Sequence, residues 1–436
     1  MNKHRVGPIN HQDTGGVSGP GRTRPRRLLL CLDGVPFDIM RAAKERGLFD
    51  NFSAPSRLLS PFPTMTNIAL ATMLRATPPL GYESLYFDRQ TREIRGGIGK
   101  YIGRRTPEKL PSSYMDELDY QEPLPFEFLV YVAPEAVWRA DMRRFRERFL
   151  GAPQTRDFFA FLKGTDGLLH IRGPKRLEVA LETLDQILKE IQAACGEETE
   201  MVLFSDHGMS LREHKRINLQ THLRKCGYQL AGSLRDIRER KRVALPAFGL
   251  IGFAALYTVD EEAASALAED VASLEGVDFA IHRDGPAVIV KGERGSARIE
   301  RYENGRGLLY RYQPLTGDPL YLAPVLTDLQ QSGQLDQKGF APDTTWYERT
   351  AEHLYPDALA NLYTAMHAPR VGHTADVLIS TSDGYYYGNT AFSRFVRLAA
   401  THGNAARDSS SAFLMSTHRT FTPAVRATEA QPLLKG

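Results

Sequence analysis

The sequence predicts an α/β fold with a mostly parallel central sheet flanked by helices, together with a smaller α+β insertion. Short apolar runs recur along the chain and several end in Asp, Gly or His, which is typical of buried parallel strands that open into loops. Amphipathic helical patterns lie between these runs, and this alternation favours a parallel sheet. Short alternating pieces between about 245 and 320 instead indicate antiparallel hairpins.

Six apolar runs supply the predicted strands, and most are followed by a turn residue or a charged residue. The clearest helical pattern lies at 174–195, where apolar residues keep the spacing of one helix face, and a second helix is predicted from Tyr347 to Met366. The six runs are RRLLLCLDG (26–34), FEFLVYVA (126–133), DFFAFLKGTDG (157–167), TEMVLFSDHG (199–208), ADVLISTSDG (375–384) and SAFLMST (411–417).

The composition is that of a soluble globular protein with a large core. Of the 436 residues, 42% are apolar and 25% are charged. The net charge of +3 gives no sign of a nucleic-acid or membrane partner. The apolar run at 28–32 is too short for a secretory signal and no run approaches a membrane span, so we expect a cytoplasmic protein. Three cysteines without CxxC spacing suggest neither a disulfide framework nor a Cys-based zinc site.

Five segments describe the expected domain organisation. Residues 1–27 are rich in Gly, Pro and Arg and predict a flexible basic arm. The α/β core is expected at 28–240 and again at 326–425, with the insertion at 241–325 and a tail at 426–436.

Acidic and imidazole side chains gather after the predicted strands. In an open parallel sheet, ligands bind at the C-terminal ends of the strands. Three carboxylates and three imidazoles form a ligand set that divalent metals such as zinc accept. Taken singly, each residue could be an ordinary turn or loop residue. The six candidates are Asp33, Asp166, His170, Asp206, His207 and His402.

Two local patterns add to this set. Asp166 and His170 are four residues apart in DGLLH, so they could lie on one face of a helical turn. The segment FPTMTN at 62–67 stands between an apolar run and a helical pattern. By itself it is explained by helix N-capping, because Thr and Asn side chains accept the free N–H groups of a first turn.

The combination and order of five motifs resemble a known family. The chain carries LDG at 32–34, FPTMTN at 62–67, DGLLH at 166–170, FSDHGM at 204–209 and THG at 401–403. This series resembles the type I phosphodiesterase and nucleotide pyrophosphatase branch of the alkaline phosphatase superfamily. The resemblance covers about 27–227 and 370–420 and leaves the arm and the insertion unexplained.

The resemblance implies two metal sites and a nucleophile. Thr66 would be the nucleophile and Thr64 would support the turn. Asn67 would either cap the helix or contact a phosphate oxygen. Two divalent ions are expected, zinc first and manganese as the alternative. Asp166, His170 and His402 would hold one ion, while Asp33, Asp206 and His207, together with Thr66, would hold the other.

The implied activity is hydrolysis of small phosphate esters by a phosphodiesterase-like enzyme through a phospho-threonine intermediate. A phosphomonoesterase, a phosphonate hydrolase and a phosphomutase are alternatives on the same site, and a metal-stabilised binding protein is the alternative of another class. Thr66 is followed by NIALATML where many relatives have F-P-N-H, which weakens the inference of a nucleotide pocket. The lack of a C-x-P-x-R segment disfavours a sulfatase.

Three other histidines are not expected to bind metal. His373 competes with His402 for the last ligand position, but it stands at the start of its predicted strand, the wrong end of the sheet. His214 and His222 are expected to have structural roles, the latter in a helix closed by Gly227.

Overall fold

A computed structural model of the chain describes residues 26–97, 112–123, 129, 133–305, 307–368, 370–389 and 398–435. Its strands, numbered along the chain, are β1 Arg27–Leu32, β2 Ser56–Leu59, β3 Leu85–Asp88, β4 Glu93–Gly96, β5 Tyr120–Gln121, β6 Phe158–Leu162, β7 Glu200–Ser205, β8 Lys215–Arg216, β9 Gln229–Leu230, β10 Arg242–Val243, β11 Leu250–Ile251, β12 Phe253–Leu256, β13 Val277–Asp284, β14 Ala287–Gly292, β15 Gly295–Asn304, β16 Gly307–Gly317, β17 Ala341–Pro342, β18 Val377–Thr381, β19 Tyr385–Gly388, β20 Ser411–Ser416 and β21 Ala424–Arg426.

Helices cover the sheets, and none within the described residues is long and apolar enough to cross a membrane. Short 3-10 turns lie at Tyr114–Glu117 and Ala427–Glu429. The α-helices are Phe37–Glu45, Thr66–Leu74, Pro134–Gly151, Gly164–Arg172, Pro174–Cys195, Leu219–Lys225, Glu261–Ala272, Ala323–Gln331, Asp343–Thr350, Ala358–His367, Arg407–Ser410 and Ala430–Lys435.

The central sheet has seven strands in the order β21-β2-β20-β7-β1-β6-β5. Its neighbours pair in parallel except for β20, which runs antiparallel to both β7 and β2. The predicted α/β fold with a mostly parallel sheet is therefore confirmed. The run FEFLVYVA lies almost entirely outside the described residues, so the strand predicted there stays a prediction.

The middle of this sheet explains why the polar residues converge. All six residues of β1 are buried, and the strand pairs in parallel with β6 on one side and β7 on the other. Asp33 directly follows β1, Asp206 follows β7, and Asp166 lies in the helix that begins after β6. Because parallel strands end at the same edge, three carboxylates are brought to one place.

A second sheet is antiparallel throughout, with the order β12-β18-β13-β14-β15-β16-β17. The predicted hairpins are confirmed, but the prediction that ADVLISTSDG joins the central sheet is wrong. Its strand β18 pairs antiparallel with β12 and β13. Val377 and Ile379 belong to the apolar cluster that includes the helix Glu261–Ala272, while Leu378 belongs to the cluster that includes the helix Ala358–His367, so both faces are buried as in a parallel strand.

The predicted domain boundaries are not decided by this topology. The second sheet takes its strands from 253 to 381, whereas the insertion was expected at 241–325. The single helix expected from Tyr347 to Met366 is wrong, because two helices, Asp343–Thr350 and Ala358–His367, occupy this region. They are separated near Pro356 and Asp357, where Asp357 has a φ of 51° and Pro356 lacks a backbone N–H.

A buried carboxyl group at the edge of the central sheet predicts a pH effect on stability. Asp141 is fully buried and accepts a hydrogen bond from the Tyr120 hydroxyl on β5. Burial raises the pKa of Asp141 to about 7. The folded state therefore keeps a proton that the unfolded chain releases near pH 4, and this stabilisation is lost as pH rises through about 7.

We expect Asp141→Asn to remove this part of the pH dependence, since the amide oxygen can still accept from Tyr120. Between pH 5 and pH 8, the free energy of unfolding should fall more in the wild type than in the variant, by on the order of 2 kcal/mol. Urea unfolding at both pH values measures the difference. Asp236→Asn, at a largely exposed carboxylate, should behave like the wild type. Identical pH dependence in Asp141→Asn and wild type would contradict the prediction.

Candidate active site

Six buried side chains meet at the C-terminal edge of the central sheet and form two groups of three. Within each group, one possible ligand atom of every residue lies within 4.8 Å of the others. All six candidates from the sequence are brought together. The first group is Asp166, His170 and His402, and the second group is Asp33, Asp206 and His207.

The first group is built from one helix and one loop. Asp166 and His170 lie one turn apart in the helix Gly164–Arg172, with Asp166 Oδ1 3.2 Å from His170 Nε2. The predicted common helix face is thus confirmed. His402, from the loop before the helix Arg407–Ser410, places its Nε2 3.8 Å from Asp166 Oδ1.

The second group is built from two neighbouring strand ends. His207 Nε2 lies 3.6 Å from Asp33 Oδ1 and 3.3 Å from Asp206 Oδ2. The Gly34 N–H donates to Asp206 Oδ1 at 3.0 Å. Gly34 has a φ of +70°, and a Cβ there would lie 3.0 Å from Asp166 Oδ1. A side chain at position 34 would therefore intrude between the two groups, which only glycine avoids.

All three histidines present the same ring nitrogen to the carboxylates. Each Nδ1 lies within hydrogen-bond distance of a backbone carbonyl: His170 to Ala400 at 2.7 Å, His207 to Gly208 at 2.9 Å, and His402 to Thr64 at 2.7 Å. A neutral imidazole that donates through Nδ1 keeps a lone pair on Nε2, which is the form that binds metals. Burial lowers the pKa of His207 to about 4 and that of His402 to about 3, which favours this neutral form.

The carboxylates carry oxygens that the described groups leave without a hydrogen bond. These are Asp33 Oδ2, Asp166 Oδ1 and Asp206 Oδ2. Burial raises the pKa of Asp33 well above its usual range, and the charges of Asp206 and Asp166 raise it further. Burying unpaired carboxylates is costly unless a cation compensates them. Acidic oxygens facing imidazole lone pairs at 3.2–3.8 Å therefore fit divalent metal ions.

Thr66 stands at the second group and at the start of a helix. Its Oγ1 lies 3.3 Å from Asp33 Oδ1 and 3.3 Å from His207 Nε2. It is the first residue of the helix Thr66–Leu74, whose N-cap, Met65, makes no side-chain capping bond. Free N–H groups at a helix start favour anions. The segment FPTMTN thus places a hydroxyl between possible metal ligands and an anion-binding helix end.

Asn67 and Thr64 do not cap this helix. Asn67 is its second residue, and its Oδ1 accepts a hydrogen bond from the Tyr114 hydroxyl at 2.9 Å. The N-cap interpretation of Asn67 is therefore wrong, while its contact with a phosphate oxygen stays a prediction. Thr64 is buried and its hydroxyl accepts from the Gly403 N–H at 2.8 Å, so it joins its segment to a distant loop, and its support of the turn stays a prediction.

Two residues near the site were missed by the sequence analysis. Asn361 accepts the Phe62 N–H at 2.8 Å and donates to the Ser60 carbonyl at 3.2 Å. Arg370 donates to the Phe62 carbonyl at 2.5 Å and to Asn361 Oδ1 at 2.9 Å. Together they hold the backbone that leads to Thr66. The one available signal was a polar Asn361 on the buried face of ALANLYTAMH, which favours a buried hydrogen-bonding role.

The discounted histidines lie outside both groups. His373 stacks on Tyr86 with ring centroids 5.5 Å apart, and its Nδ1 accepts from the Arg89 N–H at 3.2 Å. His222 Nε2 lies 2.7 Å from the Asp270 carbonyl, and its structural role stays a prediction.

A mostly parallel α/β sheet that ends in two Asp–His groups beside a threonine can place divalent ions next to a hydroxyl, and this chemistry suits phosphoric ester hydrolysis. The family model described as type I phosphodiesterase / nucleotide pyrophosphatase matches residues 86–308, just over half of the chain, and the protein belongs to this family. Four of the six candidate ligands lie inside the matched segment. Asp33, Thr66 and His402 lie outside it, and the fold joins them to the other four.

Several solved structures resemble the chain at low sequence identity. Phosphonoacetate hydrolase from Sinorhizobium meliloti 1021, in complex with phosphonoformate, is 13% identical, with a TM-score of 0.47 over 94% of this chain and 95% of that chain. Human ectonucleotide pyrophosphatase / phosphodiesterase 5 is 13% identical, with a TM-score of 0.47 over 94% of this chain and 93% of that chain. No curated protein matches the sequence.

Proposed function

We propose that the protein is a metal-dependent phosphodiesterase that hydrolyses small phosphate esters through a phospho-Thr66 intermediate. The observation that carries the proposal is the position of Thr66 Oγ1, 3.3 Å from both Asp33 Oδ1 and His207 Nε2. The other group is adjacent, since the rings of His207 and His402 stack with centroids 3.9 Å apart. A hydroxyl beside two such groups suits phosphoryl transfer.

The donor set suits zinc, with manganese as the alternative, at each of the two groups. When bound, divalent ions there would supply the positive charge that a threonine nucleophile and a leaving oxygen require. The acidic oxygens without hydrogen bonds and the Nε2 atoms turned toward them support two ion sites.

In the first step, Thr66 Oγ1 loses its proton to solvent and attacks phosphorus, the bond from Oγ1 to phosphorus forms, and the bond to the ester oxygen breaks, so that this oxygen leaves and takes up a proton from solvent as an alcohol. Before the attack, the Thr66 hydroxyl donates its hydrogen to Asp33 Oδ1, so the lone pairs of Oγ1 point away from the Asp33 carboxylate. The first-turn N–H groups of the helix Thr66–Leu74 would bind the phosphoryl oxygens. We place Asn67 beside the phosphate as a further donor, with its carbonyl oxygen occupied by Tyr114.

In the second step, water attacks the phosphorus of phospho-Thr66. The new bond joins the water oxygen to phosphorus, the bond to Thr66 Oγ1 breaks, and the proton that the attacking water gives up balances the one that Oγ1 takes up. The free enzyme and a phosphate monoester result when the substrate is a diester. A cytoplasmic location for this reaction stays a prediction.

A comparison of substrates tests the class of reaction. We expect bis-p-nitrophenyl phosphate to be turned over with a kcat/KM at least about tenfold above that of p-nitrophenyl phosphate, a difference of about 1.4 kcal/mol in transition-state stabilisation. A preference for the monoester or for a phosphonate ester would replace the phosphodiesterase assignment with one of those alternatives. Absence of turnover with every phosphate, phosphonate and sulfate ester would favour a metal-stabilised binding protein.

Asn361→Ala is expected to lower kcat by about 10- to 100-fold, because small displacements of a nucleophile are costly. Asn361 contacts Ser60 and Phe62 but neither group of candidate ligands, so KM should change less. Initial rates over a range of diester concentrations separate the two parameters. Asn218→Ala, at an exposed position, is the control and should leave both unchanged. An unaltered kcat in a folded Asn361→Ala protein would rule out this positioning role.

A further inference from the structure

Thr64 joins the segment that carries Thr66 to the loop that carries His402. The Thr64 N–H donates to the Gly403 carbonyl at 3.3 Å, and His402 Nδ1 lies 2.7 Å from the Thr64 carbonyl. The Thr64 hydroxyl accepts from the Gly403 N–H at 2.8 Å and donates to the Asn404 carbonyl at 3.2 Å. We call these four hydrogen bonds the Thr64 bridge.

The hydroxyl of this bridge acts as donor and acceptor at once, inside the protein. Thr64 is 0% exposed and Asn404 is 2% exposed. Without the hydroxyl, the Gly403 N–H and one acceptor position of the Asn404 carbonyl would be buried without this partner. A serine could replace it, whereas a valine of nearly the same shape could not.

The bridge also fixes the ring of His402. A hydrogen bond from Nδ1 to the Thr64 carbonyl sets the tautomer and turns Nε2 toward Asp166 Oδ1, 3.8 Å away. The other side of the loop is held independently, because the His402 carbonyl accepts the Gly252 N–H at 2.6 Å. Loss of the Thr64 hydroxyl would therefore make the loop around Gly403 and Asn404 more mobile, on the side where the His402 ring faces Asp166.

We propose that Thr64 is a positioning residue that links the metal affinity of the group Asp166, His170 and His402 to the placement of Thr66. This inference rests on the proposed function, because it requires ions at the two groups. Thr64 lies two residues before Thr66 and holds His402 directly, so one residue sets the position of the nucleophile and of a ligand in the other group. None of the four bonds of the bridge reaches Asp33, Asp206 or His207.

The test measures metal affinity on the full-length protein by competition with a chromophoric zinc chelator. Wild type should bind two zinc ions. Thr64→Val keeps the carbonyl that His402 Nδ1 contacts but loses the hydroxyl that holds the loop at Gly403 and Asn404. One of the two ions should therefore bind about 10-fold more weakly, the lower end of the range for changes around a metal ligand. The other ion should keep its affinity. Thr64→Ser, which keeps the hydroxyl, should resemble the wild type at both sites.

Each other outcome is decisive. If Thr64→Val binds both ions with wild-type affinity, the inference fails and the proposed function stands. Equal weakening of both ions, with a lower Tm of the metal-free protein, would reduce Thr64 to general packing and also overturn the inference. If the wild type binds no zinc or manganese, the two-metal function itself fails. Should Thr64→Val not fold, Thr64→Ala, which adds no methyl group against the two polar partners, decides in the same assay.

Discussion

Thr66→Ala is expected to lower kcat toward bis-p-nitrophenyl phosphate by about 10⁴-fold or more, as losses of enzyme nucleophiles do. The substitution removes the hydroxyl that lies 3.3 Å from Asp33 Oδ1 and 3.3 Å from His207 Nε2. It removes the Thr66 hydroxyl from the second group but leaves the six Asp and His candidates in place, so both ions should remain bound. Rapid acid quenching followed by mass analysis should detect a p-nitrophenyl-phosphoryl group on Thr66 in the wild type and none in the variant.

Two further variants control this experiment. Thr66→Ser keeps a hydroxyl and should retain activity within about tenfold of wild type. Thr72→Ala makes the same change in the same helix, where the Thr72 hydroxyl donates to the Ile68 carbonyl at 2.7 Å. Its activity should equal that of the wild type. Full activity in Thr66→Ala would remove Thr66 as the nucleophile, whatever the other variants do.

Removal of bound metal should abolish activity and also destabilise the fold. Asp33, Asp166 and Asp206 are buried, and each has an oxygen without a hydrogen bond among the described groups. Ions that bind only the folded protein stabilise it, by about 3 kcal/mol when the free ion exceeds its Kd by 100-fold. We therefore expect dialysis against a chelator to lower kcat/KM by about 10³-fold or more and to lower Tm, and zinc to restore both.

Elemental analysis and a pair of histidine variants sharpen this result. Protein purified without chelator should carry about two ions per chain. His402→Ala should carry one ion fewer, whereas His373→Ala should keep both, because His373 stacks on Tyr86 outside the two groups. Unchanged activity and Tm after complete metal removal would contradict metal dependence.

The ends of the buried strands were the most predictable part of this site. Asp33 and Asp206 follow apolar runs that pair side by side, so their meeting follows from parallel pairing alone. The strand β18 could not be assigned correctly, because burial on both faces gives the same continuous apolar run in either sheet. The role of Asn361 could not be predicted from the sequence for another reason. It contacts Phe62 across 299 residues of sequence, and no local pattern encodes such a contact.

The polar side chains of FPTMTN do not cap the helix that begins there. Its threonines and asparagine are the residue types of a helix N-cap, but the cap position falls on Met65 and the three polar side chains bond elsewhere. Propensity identified where the helix begins. It did not identify the partners, because these come from distant loops around Asp33, Tyr114 and Gly403.

The contacts of Asn361 and Arg370 have a consequence for protein engineering. Asn361 lies in the helix Ala358–His367, which packs on β13 to β16, and Arg370 comes shortly after that helix. Together they nevertheless hold the backbone of Ser60 and Phe62, which follow β2 of the central sheet. The Thr381 carbonyl on β18 likewise receives the Asn404 side chain at 3.2 Å. We therefore expect that the second sheet cannot be removed without the loss of these hydrogen bonds. A minimal enzyme made by excising it would lose the framework of its own reaction centre, and chimeras should exchange both sheets together.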